Sequence, residues 1–587
     1  MKYSLIVDTY EKIEATTKRL EMRDLLANLF KKTPKSIISE VTYLTQGKIY
    51  PDYMGIEIGL AEKLIVRGLS FSSGKTEKTV DTAFRKKGDL GEVAATLLGK
   101  KAQQTLMSRK LSVRDVYKIF DKIAKSTGSG SIDVKLRFLS SLMNDASPRE
   151  AKYIIRMALG KLRLGVADMT ILEALASAFT GNVNNKDRLE RAYSLSSDLG
   201  LIAKIVATSG MEGIKKIKVE IGRPIRPMLA ERLSDPTEIL EKLSGKAAVE
   251  YKYDGLRMQV HISPKSSSIF SRRLENITEQ FPDVIKYVKK SMKPNEAIFE
   301  GECVAIDPIT ADLLPFQMIS QRRGRKHDLQ DMMEQIPVKV FLFDILYSNG
   351  IEYARMPYQK RRTILTEAIK PNDWISLSEQ IITTNTTEIE KFMNQAVSDG
   401  CEGLILKSID PNSTYRAGAR GWVWIKYKRA YKSEMADTVD LVVVGGFYGR
   451  GKRGGSYGAL LLAAYDKDNG KFQTLCKCGS GFTDNDLKGF PSKLGSSKLR
   501  QRSSQVDSKI SADVWFNPYL VLEITGDEIT LSPVHTACEN ELRKNSGLAI
   551  RFPRFTGRYR LDKSPEDAST TKEILGMYRN QLKKIAI

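Results

Sequence analysis

The spacing of apolar residues changes character along this chain, and that change restricts it to a string of unlike domains. At 587 residues it is too long for one hydrophobic core, and its length implies three or four domains. Up to about residue 216 the apolar residues recur at helical spacing, as in Glu150-Ala151-Lys152-Tyr153-Ile154-Ile155 and Thr170-Ile171-Leu172-Glu173-Ala174-Leu175. Two prolines punctuate Gly222-Arg223-Pro224-Ile225-Arg226-Pro227, after which strands alternate with short helices. From about Asp440 strand follows strand with glycine turns between, as in Leu441-Val442-Val443-Val444 and Leu460-Leu461-Leu462, which predicts a small barrel. The expected architecture is an all-α domain over 1–216, an α+β domain over 217–430 and a β-barrel over 431–587.

The formal charge of +23 is spread through folded-looking segments rather than held in a tail. It favours a polyanionic partner, above all nucleic acid, through counterion release. Basic residues recur beside the predicted helices, notably in Gly160-Lys161-Leu162-Arg163-Leu164-Gly165. The chain has no run of 18 apolar residues, and its first residues are too short an apolar core for a signal peptide, so a cytoplasmic protein is expected.

Five scattered cysteines argue against a disulfide framework, and Cys476-x-Cys478 has no second pair to complete a zinc site. His261, His327 and His535 carry no catalytic signature and read as structural. Gly68-Leu69-Ser70-Phe71-Ser72-Ser73-Gly74-Lys75-Thr76 is one residue too long between its glycines for a P-loop and reads as a plain loop. The basic stretch Gly449-Arg450-Gly451-Lys452-Arg453-Gly454-Gly455 reads as a hairpin turn that touches phosphate.

The chemistry centres on Glu250-Tyr251-Lys252-Tyr253-Asp254-Gly255-Leu256-Arg257. A lysine amine attacks phosphorus only when unprotonated. At an ordinary pKa of about 10.4, roughly one in a few thousand is neutral at pH 7. Burial, neighbouring cations and a metal ion are the means of lowering that value, and Arg257 is a candidate cation and phosphate ligand. In isolation Lys-x-Asp-Gly reads first as a solvated lysine before an Asp-Gly hairpin turn. Further segments supply what a nucleotidyl-lysine site needs. Glu300-Gly301-Glu302 places two carboxylates on one face of a strand, and Phe343 on an apolar strand is an aromatic that could stack on a purine. Glu402-Gly403 opens another strand, and Lys426-x-Lys428 puts two ammonium groups on one face for successive phosphate oxygens.

The order and spacing of these segments resemble the ATP-dependent DNA ligases of the archaeal and eukaryotic replicative type, within the covalent nucleotidyltransferases. Lys252-Tyr253-Asp254-Gly255-Leu256-Arg257 matches the nucleophile motif and Ser271-Arg272-Arg273-Leu274-Glu275-Asn276 the motif after it. Glu300-Gly301-Glu302 matches the third, where Asp-Gly-Glu is common, so its role passes to Glu302 alone. Phe343, Glu402-Gly403 with Lys407, and Lys426-x-Lys428 follow in register. Arg551-Phe552-Pro553-Arg554-Phe555 with Arg558, Arg560, Asp562 and Lys563 matches the last motif, which is specific to this ligase branch.

The resemblance covers almost the whole chain. It makes the helical region a DNA-binding domain, the middle an adenylation domain and the barrel an OB-fold. It implies that Lys252 is adenylylated by ATP, passes AMP to the 5′-phosphate of a nick in duplex DNA, and that the 3′-hydroxyl then displaces AMP. It assigns Glu250 to adenine, Arg257 and Arg272 to ribose and phosphates, and Glu302 to ribose or metal. Phe343 stacks on the base, Glu402 binds Mg²⁺, with Mn²⁺ as a substitute, and Arg420 and Lys426 hold phosphates. Asp254 orients the lysine or a metal-bound water. A sliding clamp is an expected partner through Gln103-Gln104-Thr105-Leu106-Met107, and a monomer is expected.

Other readings fit less of the chain. A capping guanylyltransferase or an RNA ligase should lack the long helical region and the Arg-Phe-Pro-Arg-Phe segment. An NAD-dependent ligase should carry a four-cysteine zinc module, and a non-catalytic scaffold need not keep every catalytic residue type.

Overall fold

The computed structural model describes residues 1–99, 110–307, 312–314, 316–322, 329–428, 437–449 and 453–583. The proposed clamp segment 103–107, His327, Arg450 and Lys452 therefore lie outside the described residues. The chain divides into two compact units: Met1–Lys75 with Ala94–Lys428, and Thr76–Val93 with Arg429–Ile587.

The first unit opens with helices whose ends are written in the sequence. Ser112 and Asp115 form a reciprocal capping box at Val113–Lys125, and Ser147 with Glu150 does the same at Pro148–Ala158. The segment after that helix turns through left-handed Gly160, Arg163 and Gly165. Leu162 and Leu164 are thereby buried while Lys161 and Arg163 face solvent. Gly68 to Thr76, expected as a loop, is mostly helix: Glu62–Ser73 runs through it and Gly74 ends it at φ +68°. The serines and aromatic of this stretch fit a helix as well as a loop, so composition misleads there.

Strands follow: β1 (Leu229–Arg232), β2 (Ala247–Lys252), β3 (Leu256–Ile262), β4 (Ser267–Ser271), β5 (Ala297–Ala305), β6 (Val338–Ser348), β7 (Ile351–Glu352), β8 (Ile375–Leu377), β9 (Gln380–Thr383), β10 (Gly403–Ser408) and β11 (Arg420–Lys428). They form one sheet of order β1-β11-β10-β2-β9 and another of order β4-β3-β5-β6-β7, with β8 beside β6. In the first sheet Val249, Tyr251, Leu404, Leu406, Ile425 and Tyr427 pack on the helices Pro236–Lys242 and Thr386–Ser398. Strand alternation then puts Glu250, Lys252, Lys407, Lys426 and Lys428 on the opposite face. In the second sheet Met258, Val260, Phe299, Cys303 and Leu342 pack on the helix Pro282–Ser291, which leaves Arg257, Gln259, Glu300 and Glu302 on the other side.

Helices and sheets of this unit share one core. Leu195 of the helix Lys186–Ser196 packs with Ile225, Met228, Tyr415 and Trp424. Asp168 accepts from Tyr193 Oη at 2.6 Å and Gln46 Nε2 at 2.8 Å, and pairs with Arg226 at 3.2 Å.

The second unit is β-rich: β12 (Val439–Tyr448), β13 (Tyr457–Asp466), β14 (Lys471–Cys478), β15 (Lys498–Leu499), β16 (Val506–Asp507), β17 (Val514–Phe516), β18 (Val521–Thr525), β19 (Glu528–Ser532), β20 (Gly547–Arg551) and β21 (Arg554–Tyr559). β12 pairs with β13 along one edge and with β17 and β18 along the other, and β18 pairs with β21, so the sheet curls around a core. Cys476, Cys478 and Cys538 lie in that core as free thiols. Arg453 donates to the carbonyls of Gly458 and Gly479, so its guanidinium is spent on backbone carbonyls at the start of β13 and just past β14. No described helix is long and apolar enough to cross a membrane.

His261 is structural, as expected. The Gly222 amide donates to Nδ1 at 3.1 Å, which leaves the proton on Nε2 to meet Gln259 Oε1 at 2.9 Å. Burial pushes the imidazole down from 6.5 to about 3. A histidine whose pKa is depressed on folding contributes fully above its unfolded value, and that contribution fades as pH falls from 6.5 toward 3. From this residue alone, unfolding free energy should drop by up to about 1.4 kcal/mol per pH unit below 6.5. Comparing denaturant midpoints at acid and neutral pH should show a shallower acid loss in His261→Asn.

Candidate active site

Lys252 ends β2, and the antiparallel register sets it beside Gly403 of β10, which in turn faces Lys428 of β11. Gly403 has φ +149°, and a Cβ there would lie 2.4 Å from the Tyr427 carbonyl oxygen, so only glycine lets the strands close at this point. The residue before it, Glu402, holds both lysines: its Oε2 bonds Lys252 Nζ and lies 2.5 Å from Lys428 Nζ. The Glu402 amide also donates to the Lys252 carbonyl at 2.9 Å.

Tyr253-Asp254-Gly255 is no hairpin, because β2 and β3 belong to different sheets. The segment crosses from one sheet to the other. A Cβ on Gly255 would sit 2.4 Å from the Cys303 carbonyl oxygen, and the close approach delivers Asp254 to the lysine. Asp254 accepts from the Phe316 amide at 3.1 Å. Burial raises its carboxyl, and the hydrogen bond it shares with Glu402 raises it further. Burial also opposes ionisation of Glu402, but Lys252, the bond from Asp254 and Lys428 outweigh it and hold Glu402 below the usual range. Glu302 is pushed up to about 7 by burial, with Lys252 and Arg257 pulling the other way. Three carboxyl groups thus crowd one lysine, and two of them gain from any further cation.

Glu300 lies mid-strand and buried, and its work is to anchor Arg257 at 2.8 Å. Tyr415 Oη and Gln259 Nε2 complete its shell at 2.9 and 3.3 Å. Phe343 is the extra residue of a bulge in β6, between the pairs Glu300–Asp344 and Gly301–Leu342. The bulge turns its half-buried ring toward Arg257 at 5.3 Å and Lys407 at 5.0 Å.

Glu250 is also buried. Its Oε2 meets Lys407 Nζ at 2.7 Å, while Tyr358 Oη and Gln380 Nε2 (3.1 Å) bond Oε1. Lys407 is ringed by Phe343, Tyr358 and Trp424, each centroid within 5.0 Å of Nζ. Burial pulls its ammonium below the usual lysine range, and Glu250 pulls it back. Tyr358, Gln380, Tyr415 and Trp424 went unassigned in the sequence. Tyr358 reaches Glu250 across 108 positions, and no local motif marks such a partner.

The side chains of Arg272, Arg420 and Lys426 have no ion-pair or hydrogen-bond partner among the described residues. Lys426 is drawn below the usual lysine range by burial first, then by Lys428, Arg420, Lys252 and Arg272. Five cations converge there. Arg272 also lines a cavity of about 1300 Å³ between residues 47–61 and residues 226–229, whose lining does not include Lys252.

The remaining expected residues belong to the second unit. Arg551 pairs with Glu528 at 2.7 Å and Arg554 with Asp527 at 3.5 Å. Arg560 bridges Asp440 and Asp562 at 2.6 and 2.7 Å, and Lys563 reaches Asp440 at 2.7 Å.

A carboxylate-held lysine beside unpartnered cations defines a site for an enzyme that works on a polyphosphate next to a nucleophile. Residues 2–176 match the family described as DNA ligase N terminus, 227–428 the ATP dependent DNA ligase domain, and 453–563 the ATP dependent DNA ligase C terminal region. DNA ligase 2 of Thermofilum pendens is 52% identical over 591 residues, covering 99% of this chain and 98% of its own. A DNA ligase of Staphylothermus marinus is 48% identical over 598 residues, covering 100% of both chains. A solved structure described as Pmar-Lig_Pre. shares the fold, with a TM-score of 0.56 at 17% identity over 95% of this chain and 99% of that one. The chain belongs to the ATP-dependent DNA ligase family, enzymes that seal nicks in DNA with ATP and a divalent metal ion.

Gly403→Ala should destabilise the first unit by about 1–3 kcal/mol in chemical unfolding. By displacing Glu402 from Lys252 it should also slow nick sealing at least about tenfold. An unchanged sealing rate would show that the β10 contact does not position the lysine.

Proposed function

We propose that the chain seals 5′-phosphate/3′-hydroxyl nicks in duplex DNA through an adenylyl group carried on Lys252. The observation that carries this reading is the bond from Lys252 Nζ to Glu402, set beside the unpartnered Lys426, Arg420 and Arg272. Lys252 Nζ loses its proton and attacks the α-phosphorus of ATP; the N–P bond forms as the bond to the bridging oxygen breaks, and pyrophosphate leaves. A nick 5′-phosphate oxygen next attacks the same phosphorus, the N–P bond breaks, and AMP passes to the DNA. The 3′-hydroxyl then attacks the 5′-phosphorus and expels AMP.

Residue roles follow from the chemistry of each neighbour. Glu402 directs the amine; Lys426, Lys428, Arg420 and Arg272 offset charge on the phosphate oxygens. Arg257, fixed by Glu300, and Phe343 face ribose and base, with Glu250 at the base edge. Arg551, Arg554, Arg560, Asp562 and Lys563 serve the first step, in which pyrophosphate departs.

Mg²⁺ fits the donor set. No group of three or more His, Cys, Asp or Glu is arranged to hold a metal among the described residues. Mg²⁺ needs only one or two carboxylates beside substrate phosphates and water, and Glu302 and Glu402 supply hard oxygens, with Asp254 adjacent. When bound, the ion neutralises charge on the phosphates.

By the same reading 1–216 grips the duplex, 217–430 carries the transfer and 431–587 is an OB-fold domain that takes part in the first step. Exposed Lys161 and Arg163, held out by the buried leucines beside them, support the first assignment. A cytoplasmic monomer is the working form, and the free thiols suit a reducing compartment. Support for a clamp contact at 103–107 is the sequence Gln103-Gln104-Thr105-Leu106-Met107 alone.

The test uses no DNA. Protein stripped of preformed adenylate and given Mg²⁺ with α-labelled ATP should retain label after denaturation, and Lys252→Ala should retain none. Label from GTP instead, or none from any donor, would overturn the reading. Lys563→Ala should slow self-adenylylation at least about tenfold. It should leave sealing of a pre-adenylylated nick close to wild type; equal loss in both assays would remove the second unit from the first step alone.

A further inference from the structure

The Glu250–Lys407 pair has no evident structural need. Both side chains are 2% exposed, and a buried ion pair of this kind is often replaceable by apolar residues without loss of stability. It lies on the face of the sheet that carries Lys252, two residues before the nucleophile, and the Phe343 ring covers the ammonium. The arrangement is also over-determined. One carboxylate oxygen takes Lys407, and the other takes Tyr358 Oη and Gln380 Nε2. Each oxygen has two acceptor sites, so Oε2 keeps one for a ligand.

We propose that Lys407 and Tyr358 are positioning residues for donor selection: they hold the Glu250 carboxylate as an acceptor-only group, so that the pocket takes a purine with a hydrogen-bond donor at its 6-position. A purine with a 6-oxo group presents an acceptor to that oxygen and leaves it unpaired in a dry site. Lys407 is the nearest cation to that carboxylate, with Arg362 Nη1 farther off at 3.7 Å from Oε1, and it holds Oε2 in place as the acceptor. Tyr358, bonded to the other oxygen, fixes which edge of the carboxylate faces the base. The Phe343 ring, in contact with the Lys407 ammonium, ties the stacking surface to the same device. This inference rests on the reading of Glu250 as base-facing.

The test is the ratio of self-adenylylation efficiencies with ATP and with inosine triphosphate, measured on the full chain stripped with pyrophosphate. Wild type should prefer ATP. Glu250→Gln and Lys407→Met should each lower the ratio at least about tenfold, and Lys407→Arg should restore it to within about threefold of wild type. Tyr358→Phe deletes one hydroxyl and keeps the packed ring, so it carries the same expectation should Lys407→Met fail to fold. A merely structural pair would slow both donors alike and leave the ratio where it was. If Glu250→Gln lowers the ratio while Lys407→Met and Tyr358→Phe leave it unchanged, the positioning inference fails alone. If Glu250→Gln leaves it unchanged, the base-facing reading fails and the inference falls with it.

Discussion

The antiparallel register of β2, β10 and β11 is the constraint on which the rest of the site depends. It sets Lys252, Gly403 and Lys428 in one row, with Glu250, Ile405 and Lys426 in the row behind and Ala248, Lys407 and Trp424 behind that. A slip of one residue would send every charged group of this face into the apolar cluster on the helices Pro236–Lys242 and Thr386–Ser398. The apolar face therefore fixes the polar one. Gly403 lets the row close, and Gly255 lets the chain cross to the second sheet within a few residues of Lys252.

Charge is distributed unevenly over that surface. Toward the interior ions pair off: Glu250 with Lys407, Arg257 with Glu300, and Arg361 with Asp344 at 2.8 Å. Toward Lys426 the balance tips, with Arg272, Arg420 and Lys426 unpartnered beside Lys428 and Lys252. Buried pairs give fixed directions to the side chains around a base, and unpaired cations give a field for phosphate. One face thus keeps its paired ions apart from its unpaired cations.

The residues gathered around Lys252 were legible in the sequence because they travel in short motifs. Lys252, Asp254 and Gly255 are contiguous, Glu402 adjoins Gly403, and Lys426 and Lys428 sit two apart on one strand face. Their partners were not legible. Tyr358, Gln380 and Tyr415 come from distant segments, and a tyrosine after a proline carries no mark of the carboxylate it will meet. Glu300 was passed over in favour of Glu302, but Arg257, diagonally placed on neighbouring β3, makes it a buried anchor.

Local patterning determined by itself the helical and strand-rich stretches, the alternation that puts lysines on one face, and the residue types able to hold a nucleotide and a metal. These depend on the chain's own periodicity, 3.6 or 2 residues, and on side-chain chemistry. Tertiary structure alone decided that Asp254-Gly255 crosses between sheets instead of closing a hairpin. It alone decided that Phe343 sits on a bulge, and that Lys407 lies beneath three rings against Glu250. Each of those outcomes is set by which strand lies next to which, a choice made by the burial of whole faces and invisible in any single segment.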